Sequence, residues 1–263
     1  MNVPYNYCLY ATRCRELTDT MRNVIIGSLN AILSCNFGAL DPRIFSHRFM
    51  TLSWTERLSY SMESFKACLR SQNDLRNCLP PVVDKCLHST VVAAKVIRLP
   101  MKLVEELLNA DSHLRVIHLV RDPRGMMQSW KKVSVPKQSD EKMRISAVIA
   151  CKRMLSDCFT RRRLETLFPG RVLLVRYEDL VTSTDRVLHD IYNRLLQLPV
   201  PTSVRKGMES QMNANTNDNI MGTRRKNGTA SASSWRQKID SHYLAYVNKT
   251  CSYVLSLLNY DKS

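Results

Sequence analysis

Acidic residues are scarce in this chain. Its 263 amino acids include 23 Asp and Glu against 39 Lys and Arg, which gives a net charge of +16 at pH 7. A protein of that charge attracts polyanions, among them nucleic acids, anionic membranes and acidic glycans. The sequence has neither paired Cys and His zinc ligands nor an aromatic RNA-binding signature, so no feature other than the charge indicates nucleic acid. We therefore expect an anionic ligand and no nucleic acid.

Long apolar runs are also missing. The sequence has no stretch of about 20 apolar residues, the length that a helix needs to cross a bilayer. Residues 24–33 are apolar but too few, and no signal sequence begins the chain. With 44% apolar and 24% charged residues, the composition is that of a globular protein. We predict that residues 1–263 form a single domain around one core.

The nine cysteines do not show the spacing of zinc ligands. The sequence contains no Cys-x-x-Cys pair and no His-x-x-x-His pair, which are common in zinc sites, so we expect no metal. One polar, loop-like stretch holds three cysteines, which favours disulfides: Cys68, Cys78 and Cys86. Two N-glycosylation patterns, Asn227-Gly228-Thr229 and Asn248-Lys249-Thr250, matter only in a secretory compartment. Together these features predict the lumen of the Golgi or of the endoplasmic reticulum.

A short apolar run followed by a turn organises the middle of the chain. Val116–Val120 is rich in β-branched residues and predicts a strand buried on both faces of a parallel sheet. Asp122 suits the N-cap of a helix, and Pro123 suits its first position. Such a helix directs its free N–H groups towards the carboxyl edge of the sheet, where they favour an anion.

Two side chains near this turn could hold a phosphate group together. Arg121 ends the strand, and Ser129 lies about two turns into the helix. A guanidinium and a hydroxyl in these positions could bind one phosphate between them. The spacing also allows a simpler interpretation, in which Arg121 pairs with Asp122 beside an ordinary helical serine. The residues alone leave both interpretations open.

Strands and helices alternate along the chain. Further buried strands are predicted over residues 91–97 and 171–176. Apolar residues at helical spacing predict helices over residues 14–33, 55–69, 99–108, 142–167, 187–198 and 243–258. Residues 213–234 are poor in apolar residues and predict a long loop. The alternation predicts an α/β fold with a right-handed parallel unit.

The phrase Val-Ile-His-Leu-Val-Arg-Asp-Pro-Arg-Gly, residues 116–125, with Ser129 after it, resembles the 3′-phosphate-binding segment of sulfotransferases. It is most similar to the Golgi carbohydrate 6-O-sulfotransferases, which modify N-acetylglucosamine or galactose. Residues 95–99 and 174–180 also resemble phrases of that family, and the likeness is strongest over residues 91–258. The resemblance implies a three-layer parallel sheet of the P-loop nucleotide hydrolase type.

The resemblance also implies roles for ligands and residues. The co-substrate would be 3′-phosphoadenosine-5′-phosphosulfate without a metal, the acceptor a glycan or glycosaminoglycan, and the location the Golgi lumen. Arg121 and Ser129 would hold the 3′-phosphate, and the backbone of the residues that follow Arg121 would form the turn. Arg224 and Lys226 would contact the nucleotide phosphates, with an ordinary solvated basic loop as the alternative. The implied cofactor-binding residues are Arg121, Asp122, Pro123, Arg124, Gly125, Ser129, Arg224 and Lys226.

Part of the family's site has no counterpart in this sequence. The family cradles the 5′-phosphosulfate with a loop of the type Arg-Ser/Thr-Gly-Ser/Thr, and the nearest match, Gly27-Ser28, lies in a helical pattern. The family's catalytic base, a Glu shortly after the first helix, has no counterpart near Pro4 or Glu16, and Glu178 and Asp179 are predicted to anchor a helix, so the catalytic base stays unassigned. We therefore expect an N-terminally incomplete fold and membrane association only through an anchor outside this sequence. Either the full form is active, or the chain is an inactive lumenal relative that binds acidic glycans.

Overall fold

The structure is a computed structural model of the chain. It describes residues 6–10, 13–41, 60–72, 74–97, 99–133, 139–215 and 224–260. The chain divides into two compact units: a larger one of residues 1–16 with 100–263, and a smaller one of residues 17–99. The larger unit contains the turn after Val120 and therefore positions the candidate site. A single domain over residues 1–263 stays a prediction.

The described part of the smaller unit consists of helices and loops with two disulfides. The helices are α1 (Asp19–Leu33), α2 (Tyr60–Gln72), α3 (Leu75–Cys78) and α4 (Pro80–Leu87), and a short 3-10 helix lies at Phe37–Ala39. Disulfides join Cys35 to Cys86 and Cys68 to Cys78. The disulfides predicted for the stretch around residues 68–86 are therefore confirmed.

The first helix begins later than the sequence pattern predicts. The pattern predicts a helix over residues 14–33, but α1 starts at Asp19 because the Thr18 hydroxyl caps it and accepts a hydrogen bond from the Met21 N–H at 3.2 Å. Arg13–Glu16 belongs to a strand instead. Of the helix predicted over residues 55–69, residues 60–69 are confirmed in α2, and residues 55–59 lie outside the described residues.

The strand predicted over residues 91–97 is wrong. These residues run as coil, and no strand pairs with them in the described ranges. Three of their apolar side chains are exposed: Val91, Val96 and Ile97. An apolar run becomes a stable strand only where a neighbouring strand pairs with its backbone N–H and C=O groups. In the part of the smaller unit that the structure describes, there is no strand to supply such an edge.

The larger unit holds both sheets. Its strands are β1 (Asn6–Tyr10), β2 (Arg13–Glu16), β3 (Val116–Val120) and β4 (Val172–Arg176). Its helices are α5 (Met101–Ala110), α6 (Pro123–Val133), α7 (Asp140–Leu167), α8 (Tyr177–Thr182), α9 (Thr184–His189), α10 (Thr202–Met212), α11 (Gly228–Ser233), α12 (Ser241–Thr250) and α13 (Ser252–Leu257). A π-helical segment, Asp190–Leu196, follows α9, and a 3-10 helix, Ser234–Gln237, follows α11. Among the helices of the described ranges, none combines the length and apolar character needed to cross a membrane.

β3 and β4 form a parallel pair, while β1 and β2 form an antiparallel hairpin. Val116 pairs with Val172 at one end of the parallel register, and Val120 pairs with Arg176 at the other. Helices α6 and α7 connect the two strands, so the predicted α/β fold is confirmed. β3 is not buried on both faces, however, because Ile117 is 43% and Leu119 is 54% exposed. Side chains alternate along a strand, and only the opposite face of β3 is covered.

The long helix α7 runs through the core of the larger unit. Ser139 caps it, and it covers the helix predicted over residues 142–167. Its buried side chains pack with those of α12 and α13, and a disulfide joins Cys151 of α7 to Cys251. The helix predicted over residues 243–258 is therefore present but divided at Cys251 into α12 and α13.

Two helices of the larger unit are not predicted by the sequence pattern. The sequence pattern predicts that Pro201 follows the end of a helix. In the structure it is the N-cap of α10, because proline also suits helix starts. Residues 213–234 are predicted to form a loop, but they contain α11. Its N-cap Asn227 accepts a hydrogen bond from the Ala230 N–H at 2.8 Å. Polar capping residues thus mark a short helix here that apolar periodicity does not reveal.

His118 lies on the covered face of β3 near a buried arginine. Burial, followed by the charge of Arg161, lowers the pKa of His118 from 6.5 to about 4. The unfolded chain therefore binds a proton near pH 6.5 that the folded protein excludes until about pH 4, so stability falls as the pH drops through this range. We expect a loss of up to about 3 kcal/mol between pH 7 and pH 4. Urea unfolding at both pH values measures it, and an equal loss in His118→Leu would contradict this assignment.

Candidate phosphate-binding site

Asp122 builds the turn between β3 and α6. Its side chain is 2% exposed, and Oδ1 accepts a hydrogen bond from the Arg124 N–H at 2.8 Å. Pro123 takes the first helical position, and the Met126 N–H donates to the Asp122 carbonyl oxygen at 2.9 Å. The helix start predicted at Asp122 and Pro123 is confirmed.

The side chain of Arg124 is bound inside this turn. It is 8% exposed, and its Nε and Nη2 donate to Oδ1 and Oδ2 of Asp122 at 3.0 and 2.7 Å. Nη2 also donates to the carbonyl oxygen of Tyr260 at 2.6 Å. Two-point contact of this kind makes a strong ion pair with a fixed orientation. Asp122 therefore pairs with Arg124 and not with Arg121, which contradicts the simpler interpretation of the sequence.

Arg121 has no counter-ion among the described residues. Its guanidinium carbon lies 4.8 Å from the centroid of the Tyr177 ring, and its Nε is enclosed without a hydrogen bond. Ser129 is half-buried in α6, about 9 Å along the helix axis from Pro123. No hydrogen bond occupies its hydroxyl in the described part of the chain. Both side chains keep their hydrogen-bonding capacity for an anion, and binding of a 3′-phosphate there stays a prediction.

Trp235 brings a distant segment against this turn. A Cβ on Gly125 would lie only 2.8 Å from Cδ1 of Trp235, so the missing side chain permits the ring to rest on the first turn of α6. The guanidinium carbons of Arg124 and Arg236 lie 4.6 and 4.7 Å from the centroid of the same ring. The structure therefore places Trp235, near the end of the segment over residues 224–236, against the β3–α6 turn.

The two basic residues assigned to the nucleotide phosphates, Arg224 and Lys226, have exposed side chains. Arg225 between them is fixed through its backbone. Its N–H donates to the Gln211 carbonyl at 2.7 Å, and its carbonyl accepts from the Ala214 N–H at 2.9 Å. These two bonds hold the segment against the end of α10. A contact between Arg224 or Lys226 and a nucleotide stays a prediction.

Glu178 ties the β3–α6 turn to Tyr260. Its Oε1 accepts a hydrogen bond from the Asp122 N–H at 3.1 Å, and its Oε2 accepts one from the Tyr260 hydroxyl at 2.7 Å. Burial, followed by the Glu178 carboxylate, raises the pKa of the Tyr260 hydroxyl, which therefore stays protonated as a donor. The sequence predicts an anchoring role for Glu178, and the structure shows that it anchors this turn. No sequence signal marks Tyr260.

The catalytic base of the proposed chemistry stays unassigned. Gly27 and Ser28 lie inside α1, so they do not form a phosphate-binding loop between a strand and a helix. Within the described ranges, no group of His, Cys, Asp and Glu could hold a metal ion. The candidate site thus consists of the β3–α6 turn, Ser129 and the segment over residues 224–236.

Known proteins resemble this chain in sequence. Residues 42–201 match the family model described as "Sulfotransferase family". Carbohydrate sulfotransferase 1 of Danio rerio is 27% identical over 215 residues, which cover 73% of this chain and 49% of that protein. Carbohydrate sulfotransferase 1 of Rattus norvegicus is 26% identical over 200 residues, which cover 67% and 46%. Carbohydrate sulfotransferase 3 of Mus musculus is 24% identical over 194 residues, which cover 67% and 40%.

This chain spans about half the length of the curated relatives that it matches. No solved structure matches it. The family model nevertheless covers more than half of the chain, and its matched residues include the whole β3–turn–α6 unit. The resemblance seen in residues 116–129 is therefore confirmed: the chain belongs to the sulfotransferase family.

Proposed function

We propose that this protein transfers sulfate from 3′-phosphoadenosine-5′-phosphosulfate to a hydroxyl group of a carbohydrate. The names of its relatives support a carbohydrate acceptor. The resemblance of residues 116–129 supports the 6-hydroxyl of N-acetylglucosamine or galactose, in a glycan or glycosaminoglycan. The observation that carries the proposal concerns Arg121, which has no counter-ion in the part of the chain that the structure describes, while Arg124 neutralises Asp122.

The residues of the β3–α6 turn would recognise the 3′-phosphate of the donor. The Arg121 guanidinium and the Ser129 hydroxyl would each donate to a phosphate oxygen, and the positive N-terminal end of the α6 dipole favours the same negative charge. Arg224 and Lys226 would add positive charge at the nucleotide phosphates. When bound, the donor supplies an activated sulfuryl group to the acceptor hydroxyl. Alignment and positive charge account for most of the catalysis in the analogous phosphoryl transfers.

We infer that β3 and β4 belong to a three-layer sheet of the P-loop nucleotide hydrolase type. Their parallel pairing and the helical connection through α6 and α7 support this assignment. The three disulfides among the described residues support an oxidising compartment, for which we propose the Golgi lumen. The net charge of +16 supports an acidic acceptor.

Loss of the Arg121 guanidinium will weaken nucleotide binding. We expect Arg121→Ala to raise the Kd for 3′,5′-adenosine bisphosphate by roughly 10- to 100-fold, since a charge-assisted hydrogen bond contributes about 1.5–3 kcal/mol. Isothermal titration calorimetry measures this directly. Arg162→Ala is the matched control, because Arg162 is an exposed arginine of α7 outside the site. If the wild-type protein does not bind the nucleotide, the proposed function is wrong.

A second candidate function is binding of acidic glycans without catalysis. The net charge of +16 and the unassigned base favour it. In that case, affinity for a heparin column would fall steeply with salt and would survive Arg121→Ala, because it would depend on dispersed charges. Transfer of radiolabelled sulfate to a glycan acceptor by the wild-type protein would exclude this alternative.

A further inference from the structure

Tyr260 is a buried residue that contacts several other elements. Its side chain is fully buried, its hydroxyl donates to Oε2 of Glu178 at 2.7 Å, and its carbonyl oxygen accepts from Nη2 of Arg124 at 2.6 Å. Its ring centroid lies 4.3 Å from the guanidinium carbon of Arg176. A tyrosine buried with its hydroxyl and carbonyl both bound has a single orientation available, so its partners are fixed with it.

Two of these contacts converge on Asp122. Through the first, the Tyr260 hydroxyl orients the Glu178 carboxylate, whose other oxygen accepts from the Asp122 backbone N–H at 3.1 Å. Through the second, the Tyr260 carbonyl holds Arg124, which binds the Asp122 carboxylate. Tyr260 therefore restrains both the backbone and the side chain of the residue that follows Arg121.

The orientation of Arg121 depends on the same contacts of Tyr260. Its backbone is bonded directly to Asp122, and its guanidinium rests on the ring of Tyr177. Tyr177 lies between Arg176 and Glu178, and Tyr260 contacts both of these residues. The orientation of Arg121 is set by Asp122 and by Tyr177. The positions of both depend on Tyr260, which lies more than a hundred residues further along the chain than Arg121.

We propose that Tyr260 is a positioning residue of the phosphate-binding site: its hydroxyl holds Glu178 so that the β3–α6 turn presents Arg121 to the 3′-phosphate. This inference rests on the proposed function. The Tyr260 hydroxyl does not touch the nucleotide in this account and acts through Glu178. Its effect is therefore expected on affinity for the nucleotide, beyond any effect on folding.

Tyr260→Phe isolates the hydroxyl, since the ring and the carbonyl contact to Arg124 remain. We expect the Kd for 3′,5′-adenosine bisphosphate to rise about tenfold, as for the loss of one hydrogen bond to a charged group. Tyr253→Phe is the matched control, because Tyr253 is 78% exposed on α13. Thermal unfolding shows that each variant is folded at the titration temperature.

A double-mutant cycle separates positioning from general loss of structure. If Tyr260 acts through Glu178, then Tyr260→Phe combined with Glu178→Gln will bind about as weakly as either single variant, whereas independent effects would multiply to about a hundredfold. An unchanged Kd in Tyr260→Phe with only a lower unfolding midpoint would overturn the inference and leave the proposed function intact. Multiplicative effects would overturn it too. Absence of nucleotide binding in the wild type would overturn both.

Discussion

Replacing Arg124 by methionine will lower the free energy of unfolding by about 3–5 kcal/mol. The Asp122 carboxylate is 2% exposed and accepts three hydrogen bonds from the Arg124 guanidinium, at 3.0, 3.2 and 2.7 Å. Methionine fills similar volume without charge, so it leaves a buried anion unpaired. It also leaves the Tyr260 carbonyl without this donor. Denaturant unfolding followed by circular dichroism measures the change.

A second substitution tests whether the unpaired charge causes this loss. Asp122→Asn in the Arg124→Met background removes the anion, so part of the lost stability should return even though the chain carries one more mutation. Arg162→Met serves as the control for exchanging an arginine on an exposed helical position. If Arg124→Met costs no more than this control, then the pair between Arg124 and Asp122 does not hold the turn.

The β3–turn–α6 unit could be predicted from the sequence because short-range signals determine it. A β-branched run, an N-cap at Asp122 and a proline at position 123 all act within a few residues of one another. The family resemblance covers the same residues, so the motif and the local physics support one prediction. Arg121 and Ser129 belong to this unit, and their positions along it follow from the spacing alone.

The partner of Asp122 could not be predicted in this way. Arg121 and Arg124 are both within reach along the sequence, and spacing does not distinguish them. Arg124 is the partner because its guanidinium also donates a hydrogen bond to the carbonyl oxygen of Tyr260, which lies 136 residues further along the chain. A long-range contact therefore decides which of the two arginines neutralises Asp122.

Residues 91–97 show a second limit of local signals. The composition of this apolar run is typical of a buried strand, but a strand also needs a neighbouring strand with which its backbone can pair. The described residues supply none, and the segment is coil with Ile97 70% exposed. The same composition forms a strand at Val116–Val120 because β4 pairs with it there.

The arginines at residues 161–163 show a third limit. The pattern predicts that they lie on the solvated face of α7, but Arg161 is 6% exposed and pairs with Glu165. The reason is that Arg161 lies three residues after Cys158 and three residues before Leu164, both of which are fully buried, so it shares their face of the helix. A run of three arginines suggests a solvated face, but the position of Arg161 on the buried face decides its environment.

Removing the disulfide between Cys151 and Cys251 should be one of the most destabilising changes available in the larger unit. This bond joins residues 100 positions apart, and closing a loop of that length lowers the entropy of the unfolded chain by an amount worth about 4–5 kcal/mol. Both cysteines are buried in the core where α7 meets α12 and α13. We expect the Cys151→Ala/Cys251→Ala variant to lose about that much of a total stability that is typically 5–15 kcal/mol.

Cys158→Ala is the matched control for this experiment. Cys158 is a free, fully buried cysteine two helical turns from Cys151 on α7, so its truncation removes a core sulfur without opening a loop. That loss of packing should cost only about 1 kcal/mol. Urea unfolding of the three proteins measures the difference. If the double variant loses no more than twice the cost of Cys158→Ala, then packing explains the effect and the cross-link contributes nothing of its own. A much larger loss means that the disulfide holds α7 against α12 and α13, in the core cluster that also contains Tyr260.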